Sequence, residues 1–381
     1  MHATTAVPHG LDGTSEPDCA ALVDRPGPFV SVYLQTDPAA EPAPHTADVH
    51  WRDLRRTLAG VGAHEDALAA IDPLVADAHR FGVALAVVAE PGRLDLVDHF
   101  DEALVHDLGR VGALPSLGAV LEWRERHPNF VVALCDRAGA DLVAVRRGAE
   151  VARESAGDPE RHDPLLHKVR SGGWSTMRYQ HRVEQHWEQD ARAVAEALAA
   201  LAEEVAARLV LVGGDLRAVE LVRASLPEGL RAPVETISGS RAADGSADAT
   251  SEEIRRAVAS AVAEDHASAL AAHRDRLSSG LACAGAPDTL AALAEGRVEL
   301  LLVNDDPSDE RQAAFSRRPF SCATEPALLA GLGGEIGEAR LVDVAIAAAF
   351  SSGASVRIVP RAPHLEGGIG ALLRFSGDNT S

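Results

Sequence analysis

The sequence predicts an α/β protein built as three domains in series, with an α+β first domain and α/β sandwiches in the middle and third. Three observations carry that expectation. The chain has 381 residues, and domains of about 150 residues put that length at two or three of them. Apolar, β-branched runs alternate with stretches of helical period, the pattern of sheets covered by helices. Two interruptions divide the alternation: His127-Pro128-Asn129, and the polar run from Ser238 to Ser251. The expected boundaries are therefore 1–126, 127–250 and 251–381.

In the first segment the opening twenty-odd residues are polar and are expected to be mobile. FVSVYL (Phe29 to Leu34) reads as a strand. A Pro/Ala-rich loop, Asp37 to Pro44, leads to helical patterns around Trp51–Leu58 and Glu65–Arg80, then to a strand at Val83 to Glu90. The second segment opens with FVVALCD (Phe130 to Asp136) and ADLVAVRR (Ala140 to Arg147), joined by Arg137-Ala138-Gly139 as a hairpin turn. A long helix is expected from about Met177 to Arg208, followed by the buried strand RLVLVGG (Arg208 to Gly214), a helix, and a strand near Val234. The third segment starts with a helix from about Glu252. Helix Pro287–Glu295, strand Val298–Val303, helix Arg340–Phe350, strand Ser355–Pro360 and a glycine-led strand, Gly367 to Phe375, then alternate.

Composition narrows the class. Hydrophobic residues make up 46% and charged residues 24%, an ordinary globular balance. No stretch approaches the ~20 apolar residues that span a bilayer, and MHATTAVPHGLDG lacks the basic and apolar regions of a secretory signal. The four cysteines lie far apart with no CxxC pair, which fits a reducing cytoplasm. A net charge of −21 opposes general binding to nucleic acid. Its distribution is uneven, however. Residues 1–126 hold 20 acidic and 9 basic side chains, whereas residues 164–183 hold four basic and no acidic ones, among them Lys168, the one lysine of the chain.

That basic segment carries the functional argument. In HKVRSGGWSTMRYQHRVEQHW (His167 to Trp187), Gly172 and Gly173 break local structure and Ser175 is placed to cap the helix that follows. Val183, Trp187, Ala191, Val194, Leu198 and Leu201 form an apolar stripe, while Arg178, Arg182, Gln185 and Gln189 recur on another face. A glycine-hinged tip at the end of a buried helix, with Lys168 and Arg170 before it and Arg178 and Arg182 after it, suits a probe entering a phosphate-lined cavity. Spacing alone favours the plainer reading, a Gly-Gly turn with solvated arginines.

The run Gly172-Gly173-Trp174-Ser175-Thr176-Met177-Arg178-Tyr179-Gln180-His181-Arg182 resembles the Gly-Gly-Gln loop of the archaeal and eukaryotic class-1 release factor and Pelota family, roughly GGQSxxRxxR. GLACAGAPDTLAALAEGRVELLLV (Gly280 to Val303) and GASVRIVPRAPHLEGGIGALLRF (Gly353 to Phe375) resemble that family's third domain, the latter closing on Arg374 and Phe375. The likeness covers about Asn129 to Phe375 and looks closest to the bacterial, Balon-like branch of ribosome hibernation factors. It implies a release-factor-like fold, a ribosome as partner (rRNA and tRNA), and a translational GTPase such as elongation factor Tu. It also implies a binding site made of Lys168, Arg170, Gly172, Gly173, Trp174, Ser175, Arg178 and Arg182. Trp174 stands where the family has the glutamine that helps place the hydrolytic water. An indole offers one N–H donor and no acceptor, so no catalytic residue is expected. The first segment has no lysine, hence no Asn-Ile-Lys-Ser stop-codon motif.

Other signals are weaker. VGGDLRAVELV (Val212 to Val222) lacks the spacing of a dinucleotide or P-loop fingerprint and reads as a packing turn. GLGGEIG (Gly331 to Gly337) reads as a loop. Sixteen histidines include no HExxH, and His162, His167, His181 and His186 fall off one helical face, so neither metal nor cofactor is expected. Two rival functions stand beside ribosome occupancy. One is a peptidyl-tRNA hydrolase or rescue factor using the Trp174 N–H with Ser175 or Gln180. The other is an acidic adaptor that never touches RNA.

Overall fold

The computed structural model describes residues 17–36, 43–78, 80–104, 106–136, 139–157, 174–239, 247–331 and 334–376. They fall into two compact units, one within 126–265 and one that joins 13–125 to 266–381. The fold is mixed α/β with several sheets, as the sequence predicts.

The joined unit begins with α1 (Pro17–Val23), β1 (Phe29–Gln35), α2 (Ala43–Gly60), α3 (Glu65–Ala78), β2 (Ala84–Glu90), β3 (Arg93–Phe100), β4 (Leu108–Gly112) and α4 (Gly118–Arg126). The strands form an antiparallel sheet in the order β3-β2-β1-β4. Alternate side chains of a strand point to opposite faces. Val30, Val32 and Leu34 pack with Leu58, Leu68 and Ile71 of α2 and α3. Phe29 and Tyr33 face the other way, into a cluster with Leu121 and Trp123 of α4 and with Leu301, Val344 and Ile346 from the third segment. A strand that is apolar on both faces needs a cover on each. Here the second cover comes from the far end of the chain.

That far end contains the later part of α7 (Ala247–Leu277), then β10 (Ala282–Ala284), α8 (Ala286–Ala294), β11 (Val298–Val303), β12 (Gln312–Arg317), β13 (Phe320–Ala323), β14 (Ile336–Arg340), α9 (Leu341–Ser351), β15 (Ser355–Ile358) and β16 (Ile369–Leu373). One sheet runs β10-β16-β11-β15, with β11 and β15 parallel, and a smaller antiparallel sheet runs β13-β12-β14. Every residue of α9 from Leu341 to Ala349 is buried, the condition of a helix that is apolar all round and sits inside a core. Asp343 is the charged exception. Loop 331–337 is partly a strand, since β14 takes over at Ile336 and pairs with Ser316 of β12.

The middle unit holds β5 (Phe130–Asp136), β6 (Gly139–Arg146), β7 (Ala149–Gly157), α5 (Trp174–Glu204), β8 (Leu209–Gly214), α6 (Leu216–Ser225), β9 (Val234–Ile237) and the start of α7. Its sheet runs β7-β6-β5-β8-β9. β5, β8 and β9 are parallel, and β5, β6 and β7 form an antiparallel meander. α5 and α6 cover one face through Ala191, Val194, Leu198, Leu201, Val219 and Val222. Val258, Ala261 and Val262 of α7 cover the other against Val132, Leu209 and Leu211. This is the α/β sandwich expected of the segment. α5 stops four residues earlier than its expected end at Arg208, because Ala206 takes a left-handed φ of 50° and the Ala207 N–H turns back to Ala202 O at 2.7 Å. α7 begins at Ala247, so the interruption expected over 238–251 is shorter than its polar composition suggests.

Candidate functional site

The site is organised by α5. Ala191, its first described core residue, lines a cleft with Asp136 and Gly139 at the β5–β6 turn and with Asp215 just beyond β8. At the other end, Val205 O accepts from Asn129 Nδ2 at 2.8 Å, beside the start of β5. The buried part of α5 therefore runs from the carboxyl edge of the parallel strands to their amino edge. Its 31 residues make a rod about 46 Å long. Trp174, the first of them, lies 17 residues before Ala191, about 25 Å along the axis. Seven-residue β5 spans only about 23 Å, so the rod is longer than the sheet it packs on.

Of the residues expected at the tip, Lys168, Arg170, Gly172 and Gly173 lie outside the described residues. Trp174, Ser175, Arg178 and Arg182 fall within α5, whose described side chains begin at Glu188. The helix starts three residues before the expected Met177, so the two glycines immediately precede it.

At the carboxyl edge a small cleft, with a cavity volume of about 20 Å³, lies between Asp136, Asp190, Asp215, Arg217 and an apolar floor that includes Val194 and Leu221. Sequence reasoning did not single it out, because its parts come from three separate elements. Asp215 Oδ1 accepts from the backbone N–H groups of Arg217 at 3.1 Å and Ala218 at 3.3 Å. It thus caps α6 and occupies the donors that an anion would use at a helix start. Gly214 takes φ 125°, and a Cβ there would fall 1.8 Å from Cys135 O. VGGDLRAVELV is accordingly a packing turn.

The third-segment motifs also resolve into contacts. A Cβ on Gly370 would fall 2.6 Å from His273 Nε2, which hydrogen-bonds Cys283 O at 2.8 Å. The glycine lets the α7 imidazole cross β16 to reach β10. Burial lowers the pKa of that imidazole, with His364 adding to the effect. Arg374 donates to Gly353 O at 2.8 Å and Gly296 O at 3.3 Å, pinning the turns that end α9 and α8. Among the described residues no group of three or more His, Cys, Asp or Glu side chains is placed to hold a metal ion, and no helix is long and apolar enough to cross a membrane.

Residues 129–279 match the family described as Bacterial archaeo-eukaryotic release factor family 2. The matched segment contains the Gly-Gly-Trp run and all of α5. The chain is 28% identical over 381 residues to the uncharacterized protein Rv2629 of Mycobacterium tuberculosis (strain ATCC 25618 / H37Rv), covering 94% of this chain and 96% of that one. Among solved structures, S. cerevisiae Dom34, a translation termination-like factor, aligns over 81% of this chain and 79% of its own with 10% identity and a TM-score of 0.42. Archaeoglobus fulgidus Pelota aligns over 96% and 93% with 14% identity and a TM-score of 0.30.

Proposed function

We propose that this chain is a cytoplasmic, ribosome-binding translation factor that occupies idle or stalled ribosomes without efficient peptide release. The observation that carries this reading is the position of Trp174. It opens a rod about 46 Å long whose far half is fixed in the sandwich of a release-factor-like segment. In this reading the 172–174 tip enters the peptidyl-transferase centre, and Lys168, Arg170, Arg178 and Arg182 pair with rRNA or tRNA phosphates. The indole fills space and stacks on bases, a contact worth ~1–3 kcal/mol per base. It does not hold a water as an amide would.

The chain is read as three functional parts, 1–126, 127–250 and 251–381. The first lies toward the decoding site, and the third meets a translational GTPase, for which elongation factor Tu is the candidate. The role is hibernation or protection under stress. Release or rescue of stalled peptidyl-tRNA is the alternative. The family match favours it, and the tryptophan in place of glutamine opposes it.

Sucrose-gradient fractionation of starved and growing cells tests the reading. The chain is expected to sediment with ribosomes, more so after starvation. A chain that stays at the top of both gradients would remove ribosome occupancy from the account.

A further inference from the structure

The first and third segments meet over a buried set of charges. Arg340, just before α9, is 6% exposed. Its guanidinium lies 2.5 Å from Asp305 Oδ1 and 3.7 Å from Asp343 Oδ1. It also donates to Asp306 O at 2.6 Å and Asp309 O at 2.8 Å. Asp343 Oδ1 is buried with no hydrogen bond. Asp305 presses on the first segment: a Cβ on Gly118, the first residue of α4, would fall 1.8 Å from its Oδ2.

The groups that face this set come from three elements and two loops. Tyr33 on β1 donates its phenol to Ser116 O at 2.6 Å, and Ser116 lies beside Asp343. Arg110 on β4 donates to Pro307 O at 2.7 Å and lies 3.3 Å from Glu310. Cys19 on α1 lies near Tyr33, and Asp309 near Arg340. One buried guanidinium thus stands against two buried carboxyl groups. With both ionised, the seam holds a second carboxylate in a dry place, and the other cation near it, Arg110, is shared with Glu310. With one proton on the pair, Arg340 and the remaining carboxylate balance.

We propose that Asp343, Arg340 and Asp305 form a proton-operated latch between the first and third segments: a proton on Asp343 closes it, and loss of that proton loosens it. The direction follows from the burial. Desolvation pushes the Asp343 carboxyl up to about 7, with Arg340 and Arg110 opposing the rise and Asp305 adding to it. Burial, with the charges of Asp305 and Asp343, holds the Tyr33 phenol well above its usual range, so it remains a donor. A raised folded-state value means stability that is fully present below the ordinary carboxyl value of 3.8 and lost as pH rises to about 7. His99 and His273, whose values burial lowers, act in the opposite sense, and a paired variant cancels their contribution.

The test uses the full chain with Asp343→Asn and Asp305→Asn, unfolded in urea across this pH range. Relative to Asp343→Asn, the wild-type folded-to-unfolded ratio is expected to fall up to about tenfold per pH unit until pH reaches about 7, then to level off. A wild-type slope equal to that of Asp343→Asn overturns the latch. Infrared titration of the wild type needs no variant. A buried neutral carboxylic acid should lose its C=O band with a midpoint near 7, and no such band below that pH overturns the proposal. Asp305→Asn should move that midpoint down, because the neighbouring charge is gone, and an unmoved midpoint rules out coupling of the pair. Hydrogen exchange in β1 and α4 is expected to quicken above the midpoint, and exchange independent of pH, after correction for its intrinsic rate, contradicts loosening.

Discussion

Arg124→Ala is expected to destabilise the unit formed by residues 13–125 and 266–381 by about 3–5 kcal/mol. The guanidinium is 3% exposed. Its Nε donates to Asp98 Oδ2 at 2.8 Å, and its two terminal nitrogens donate to Asp18 at 3.0 and 2.9 Å, a forked pairing that fixes α1 against α4 and β3. Nη1 also lies 3.2 Å from Cys19 Sγ. Asp98 is itself buried, so alanine leaves a charge in the interior without this cation. Lysine cannot reproduce the planar fork. Asp18 is half-exposed, so Asp18→Asn should cost far less. Urea unfolding measures both. A loss below about 1 kcal/mol for Arg124→Ala, the scale of an exposed pair, would mean that the cluster adds little to holding the unit together.

Arg178→Glu with Arg182→Glu is expected to weaken ribosome association by roughly 3–6 kcal/mol, taking about 1.5–3 kcal/mol for each hydrogen bond to a charged group. The two positions lie four residues apart in α5. Phosphate contacts release counterions, and the salt dependence of binding should therefore flatten by about one unit of log–log slope per arginine. Co-sedimentation over several salt concentrations reads both effects. Unchanged binding and an unchanged slope would take this part of α5 out of the contact.

Much of the fold was legible because burial leaves a periodic trace. FVSVYL and VALAVVAE are strands, and the stripe from Ala191 to Leu201 is the packed face of α5. What the trace does not carry is the identity of the partner. The parity of β1 tells that Phe29 and Tyr33 need a cover, but not that Leu301 and Ile346 supply it. The short strands β12, β13 and β14 were missed because sequences such as QAAFSR and IGEAR are small and charged, with little alternation. Buried charge was illegible for the opposite reason. Arg357 and Glu125 look like surface residues in sequence, yet both are buried, and Glu125 accepts from the Ile358 N–H at 3.1 Å. At the candidate site the glycine punctuation marked where α5 begins to within three residues. The cleft of Asp136, Asp190 and Asp215 left no local signal, since it exists only once β5, β8 and α5 converge.

The central claim is occupancy without hydrolysis, and peptide release is the measurement that reaches it most directly. Ribosomes carrying labelled peptidyl-tRNA are mixed with the wild-type chain, and bound chain and freed peptide are followed together. Ester cleavage depends on a water held beside the carbonyl, and correct placement supplies much of the rate. Trp174 lacks the acceptor to hold that water, and in the proposed reading its indole takes the space the water would need. The account expects saturable binding with the peptide still attached to tRNA. Rapid, stoichiometric release of peptide by the wild-type chain would contradict it and make the protein a hydrolase.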